Sequence, residues 1–180
     1  MSQLIVGIAD YKISQNPGEM IVTYALGSCI ALTLHDPVAR VGGLIHYMLP
    51  ASSIDAAKAR EIPAMFADTG IPLLLRELVK LGADSRRLTA HLAGGSQIMD
   101  PQGLFAIGKI NYIAAKNLLW KAGILVRGEA VGGSLTRSFG VQIETGQTWL
   151  QQRDVSAAGS SQGLAASMGE DPYGLSNPRS

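Results

Sequence analysis

The sequence predicts an α+β domain with helices against one face of a sheet. Three observations carry that expectation. The apolar patterns run in the order strands, helix, strand, helix, strands. Of 180 residues, 47% are apolar and 16% charged, which allows a real core and excludes a disordered polymer for the body of the chain. The composition then shifts near residue 150, because Gln151 to Ser180 is rich in Ser, Ala, Gly and Gln. One folded unit is expected over 1–150, followed by a disordered tail over 151–180, with a short docking helix at 164–168 as the tail's one alternative.

The elements follow in chain order. Ile21 to Leu26 is an apolar run rich in β-formers. Ile30 to Leu34 and Val41 to Met48 flank Asp36-Pro37-Val38-Ala39, which has turn chemistry, with proline at the position whose φ it already satisfies. A bulge could fall at Gly42-Gly43. A helix is expected from about Gly70 to Leu81, capped by Asp68 or Thr69, with Pro72 in its first turn and Gly82 just past its end. Ile71, Leu74, Leu75, Leu78 and Leu81 form its apolar stripe. Leu88 to Ala93 reads as a strand running into Gly94-Gly95. A second helix over Lys109 to Ala122 shows Ile110, Ile113, Ala114 and Leu118 on one face. Ile124 to Val131 is a strand, and Glu144-Thr145-Gly146 is a hairpin turn between Val141 to Ile143 and Gln147 to Leu150.

Composition excludes several functions. A single cysteine forms no internal disulfide, no CxxC pair and no four-cysteine zinc site. A formal net charge of +1 leaves no electrostatic footprint for nucleic acid or an anionic membrane. No leader is visible in Met1 to Asp10, and no apolar stretch approaches the length of a membrane span, so a cytoplasmic location without membrane insertion is expected.

The cysteine's surroundings are informative. A symmetric turn at 36–39 pairs residues whose numbers sum to 75. Cys29 would then face His46, with Cβ atoms about 4.5–5.5 Å apart. A thiol is mostly protonated at neutral pH, and a neighbouring imidazole can take its proton and hold an ion pair. Thr23 is a candidate to fix the ring, Gly27 permits a strained turn before the nucleophile, and backbone N–H groups near Ser28 and Cys29 could stabilise an oxyanion. Spacing alone leaves a second reading standing, in which Cys29 is a small buried hydrophobe and His46 a structural hydrogen-bonder.

Other candidates are weaker. His35-Asp36 reads as a surface pair at a turn, and His91 has no partner at ligand spacing, so no metal site is expected. Gly94-Gly95-Ser96 and Gly132-Gly133-Ser134 lead into no phosphate-loop pattern and read as tight turns. Ser28 and Ser138 lack a GxSxG context, and Arg86-Arg87 is too short for a basic patch.

Leu26-Gly27-Ser28-Cys29, then Asp36-Pro37, then the run from Gly42 to Pro50 (GGLIHYMLP) resembles CheD, the family of bacterial chemoreceptor glutamine deamidases. The segments from Ala67 to Leu75 and Leu81 to Ala83 agree, as do Gly94-Gly95, Ile107-Gly108 with Asn111, Val131 to Gly133 with Arg137, and Glu144 to Gly146. The resemblance spans about residues 4–150. It implies a layered α/β/β sandwich with two main helices. It assigns the catalytic roles to Cys29, His46 and Thr23, beside which Gly27 and Ser28 stand as backbone support on the chemistry given above. It implies hydrolysis of receptor glutamines through a thioester, with no metal or organic cofactor and with an accessory methylesterase activity. Chemoreceptor cytoplasmic helices are the implied substrate, and a CheC-type phosphatase is the other implied partner. The alternative is a non-catalytic regulator that docks on receptor or phosphatase.

Overall fold

The computed structural model describes residues 1–98, 100 and 102–154. The strands are β1 (Ser2–Ile5), β2 (Asp10–Ser14), β3 (Glu19–Leu26), β4 (Ile30–Asp36), β5 (Val41–Tyr47), β6 (Thr89–Gly94), β7 (Leu125–Val131), β8 (Leu135–Gln142) and β9 (Thr148–Asp154). The α-helices are α1 (Ala56–Glu61), α2 (Ala67–Lys80) and α3 (Ile107–Ala122). Two mixed sheets form, in the orders β1-β3-β8-β9 and β2-β5-β4-β6-β7. The parallel pairs are β1 with β3 and β6 with β7, and the other ladders are antiparallel.

Every residue of β4 and β5 is buried, because these central strands are covered on both faces. Ile30, Leu32 and Leu34 point to one side, where they meet Ile71, Leu74 and Leu78 of α2 and Tyr112, Ala115 and Leu119 of α3. Ala31 and Leu44 point to the other, against Ile21, Leu26, Phe139 and Val141 of the four-stranded sheet. The two cores make three layers, helices, sheet and sheet, as expected. Each fully buried Leu or Ile stabilises this arrangement by about 1.5–3 kcal/mol relative to exposure.

Several local expectations change. β1 and β2, which apolar pattern does not reveal, are edge strands completed by their neighbours. The turn after β4 is one residue later than expected, at 37–40, since Asp36 still pairs with Val41. Asp36 directs this, because its Oδ1 accepts the N–H groups of Val38 and Ala39 at 2.9 and 3.1 Å. Gly42 and Gly43 pair regularly with His35 and Leu34, so no bulge interrupts the hairpin.

Helix α2 starts three residues before Gly70. Its N-cap is Phe66, and the expected caps bind other segments instead. Asp68 accepts from the backbone and hydroxyl of Ser52 at 2.8 Å each, and Thr69 donates to the Pro63 carbonyl at 2.7 Å. Burial of Ala67 and these tertiary bonds extend the helix upstream and leave Pro72 in its second turn. Gly82, at φ +94°, stands just past the end as expected.

The buried face of α3 is Gly108, Asn111, Tyr112, Ala115 and Leu119, while Ile110 is exposed. The face is rotated from the expected one because Gly108 packs on the Gly95 backbone, where a side chain would overlap the carbonyl. His35 and Asp36 are buried and not at the surface. His35 Nε2 meets the Ile143 carbonyl at 2.8 Å, and Arg87 Nη2 donates to Asp36 at 2.8 Å. β9 continues past Leu150 to Asp154. The rest of the expected tail and its docking helix lie outside the described residues.

Candidate active site

Thr23 lies on β3, His46 near the end of β5, and Cys29 in the bend between β3 and β4. His46 is on β5 opposite Ala31 of β4, in a register whose numbers sum to 77 and not 75. The later turn causes this shift of two. A shift of two preserves the face of the sheet, where a shift of one would have reversed it. Cys29, two residues before Ala31, is therefore diagonal to His46 and not directly across from it. Cys29 packs against the core between the sheets, the same core that holds Ala31.

The ring of His46 is fixed from the other sheet. Thr23 Oγ1 lies 2.8 Å from the Val6 carbonyl and 2.9 Å from His46 Nδ1. A carbonyl only accepts, so the single hydroxyl hydrogen goes to Val6. Thr23 must then accept from Nδ1–H, which leaves Nε2 with a lone pair. His46 is 1% exposed, and its Nε2 has no hydrogen-bond partner among the described residues. The backbone holds the same residue, since the His46 carbonyl accepts from Ala9 N–H at 2.8 Å.

Burial lowers His46 to about 4 and pushes the Cys29 thiol up from its ordinary value, an effect its own backbone N–H partly offsets. Both changes favour the neutral pair over the expected ion pair. The arrangement can work as a general base and a thiol whose proton moves when a substrate arrives. Tyr47, next to His46, is held protonated chiefly by its burial. Its hydroxyl donates to the Asn111 carbonyl at 2.6 Å.

Three consecutive carbonyls of the cysteine segment are bound from behind. Ser96 N–H donates to Gly27 at 2.9 Å, Asn111 Nδ2 to Ser28 at 3.1 Å, and Gly95 N–H to Cys29 at 2.8 Å. Gly27 itself is not strained, and a Cβ there would meet nothing within 4 Å. The strain lies two residues earlier. Ala25 has φ +56°, at the bulge where the β3–β8 register shifts between Thr23 and Leu26. Glycine is required instead at Gly94, where φ is +110° and a Cβ would overlap the Cys29 carbonyl.

A cleft of about 200 Å³ opens beside Ser28, lined by Ser96, Gln97, Asp100, Phe105 and Gly108 among others. Asp100 organises its outer wall by accepting the N–H groups of Leu104, Phe105 and Ala106 at 2.8–3.0 Å. Leu104 and Phe105 are 75% and 73% exposed on that wall. Sequence reasoning named Thr23, Cys29 and His46 but gave no role to Asn111 or Ser96. The available signal was a polar residue interrupting the apolar face of α3. Among the described residues no three His, Cys, Asp or Glu side chains gather as a metal-ligand set, and no helix is long and apolar enough to cross a membrane.

Comparison with known proteins gives one consistent result. The family described as CheD chemotactic sensory transduction matches residues 48–152, beginning two residues after His46. A Solibacter usitatus protein named probable chemoreceptor glutamine deamidase CheD is 55% identical over 152 residues, covering 84% of this chain and 90% of that one. A Syntrophus aciditrophicus protein named probable chemoreceptor glutamine deamidase CheD 1 is 45% identical, covering 84% and 94%. A Thermotoga maritima protein named chemoreceptor glutamine deamidase CheD is 41% identical, covering 82% and 90%. With identities of this size over nearly the whole length of each relative, the chain belongs to the CheD family.

Proposed function

We propose that this chain is a protein-glutamine deamidase that converts glutamine side chains of chemoreceptors to glutamate, with Cys29 as nucleophile, His46 as base and Thr23 as the residue that orients it. The observation that carries the proposal is the Val6–Thr23–His46 chain of hydrogen bonds, which leaves a buried imidazole nitrogen unprotonated beside the cysteine segment. The names of the relatives supply the substrate class.

His46 Nε2 takes the thiol proton, and the sulfur attacks the carboxamide carbon. The C=O electrons move to oxygen, facing the N–H groups of Ser28 and Cys29 beyond Gly27. Imidazolium then protonates the departing nitrogen, the C–N bond breaks, and ammonia leaves a thioester. His46 next takes a proton from water as hydroxide attacks the thioester; the C–S bond breaks, the imidazolium returns its proton to the Cys29 sulfur, and the acid leaves. The net reaction is amide plus water to acid plus ammonia, with no cofactor. A glutamate methyl ester can enter the same acyl route with methanol as leaving group, which is the basis of the accessory methylesterase activity. The reaction belongs in the cytoplasm, where receptor signalling helices lie, and a CheC-type phosphatase is the second partner.

The test is mass spectrometry of receptor cytoplasmic fragments incubated with the protein. Each deamidated glutamine gains about 1 Da, and Cys29→Ala abolishes the gain while receptor binding persists. Equal absence of conversion by wild type and Cys29→Ala on cognate receptors, with binding intact, would establish the non-catalytic regulator instead.

A further inference from the structure

Asn111 is completely buried in α3, yet its side chain reaches two segments of the site. Nδ2 donates to the Ser28 carbonyl at 3.1 Å and to the Met48 carbonyl at 2.7 Å. Both partners only accept, so both amide hydrogens are used and the orientation of the side chain is settled. One bond ends on the residue before Cys29. The other ends two residues after His46. A single side chain therefore ties the segment bearing the thiol to the strand bearing the imidazole.

The first bond has a directional consequence. Ser28 C=O and Cys29 N–H belong to one planar trans peptide unit and point in opposite directions. Drawing the carbonyl toward α3 turns the Cys29 N–H away from α3. That N–H also lies close enough to the Cys29 sulfur to lower its pKa. A donor beside the attacking sulfur is where the oxyanion of an acyl intermediate forms. Gly95 and Ser96 fix the carbonyls on either side, so this peptide plane has little freedom once Asn111 holds it.

We infer that Asn111 is a positioning residue that aims the Cys29 N–H at the developing oxyanion and holds the cysteine segment in register with His46. The inference rests on the deamidase reading only in taking Cys29 as an acyl acceptor. It makes acyl transfer depend on Asn111 more steeply than thiol reactivity does. Ester attack develops an oxyanion, whereas displacement of iodide from a saturated carbon does not.

Two probes separate these effects on the full chain. With p-nitrophenyl acetate, the Cys29 sulfur takes the acetyl group and p-nitrophenolate leaves. With iodoacetamide, the same sulfur displaces iodide. Asn111→Asp keeps the shape of the side chain and removes the donor. Asn111→Ser removes its reach without adding bulk or charge. Each variant is expected to acylate about 10–100-fold more slowly than wild type, with alkylation changed less than about threefold. An unchanged ratio of the two rates overturns the inference, and so does a parallel fall of both rates with loss of melting temperature. Absence of Cys29-dependent acylation in wild type overturns it too. Neither probe needs a receptor, so a failure of receptor deamidation reads out separately.

Discussion

Thr23 gives His46 its chemical identity. With its own hydrogen committed to Val6, the threonine can only accept from Nδ1, and this selects the tautomer whose Nε2 is basic. Thr23→Val keeps the shape and removes the acceptor. The Nδ1–H and the Val6 carbonyl are then left buried without partners, at a cost of about 1–3 kcal/mol each. The ring is free to take the other tautomer, in which Nε2 carries the proton and is not a base. Receptor deamidation by Thr23→Val is expected to fall about 100-fold in kcat, with Thr23→Ser retaining most of it. Equal turnover by Thr23→Val and wild type would remove Thr23 from the mechanism. These three residues were legible because their chemistry is rare in the sequence: one thiol, few imidazoles, and a hydroxyl at a suitable distance. Asn111 was not, because its contribution depends on which carbonyls α3 brings within reach of an ordinary amide.

At the level of elements, α2 and β5 are matched through glycine. Gly43 lies on the helix side of β5, and a Cβ there would stand 2.7 Å from Leu74 Cδ1 and 3.0 Å from Ile13 Cγ2. The strand is thin at that point so that α2 can lie close to it. Gly43→Val is expected to push Leu74 out of its place and destabilise the fold by about 1–3 kcal/mol, measured by urea unfolding. A variant as stable as wild type would mean that the helix yields without cost. Apolar periodicity revealed the core strands, the stripe of α2 and its glycine stop, since these follow from local pattern. The start of α2, the buried face of α3 and the hairpin register did not follow from it. Each depends on a partner distant in sequence: Ser52 and Pro63 for Asp68 and Thr69, Gly95 for Gly108, and Asp84 and Arg87 for Asp36, which also holds its own turn.

For the molecule as a whole, the buried imidazole links the site to stability. Above about pH 6.5 His46 is neutral whether folded or unfolded, so it makes no difference there. Between that pH and about 4 the unfolded ring binds a proton and the buried ring does not, so acid favours unfolding. Below about 4 both are protonated, and the penalty levels at about 3 kcal/mol. Asp36 acts in a separate window. Arg87 and three backbone N–H groups hold its carboxyl well below the usual carboxylate range, so its contribution is lost only at more acidic pH. Wild type is expected to lose about 2–3 kcal/mol of unfolding free energy between pH 7 and 4.5 beyond what His46→Gln loses. Equal losses would show that the ring is not the sensor. The threonine and the histidine also belong to different sheets. Their 2.9 Å bond therefore works as a latch across the sandwich. A slip of about 1 Å between the layers would take the bond beyond hydrogen-bond length while both sheets kept their ladders. The base is armed by the alignment of the two halves, so a protein that is still folded by every backbone measure can already be switched off.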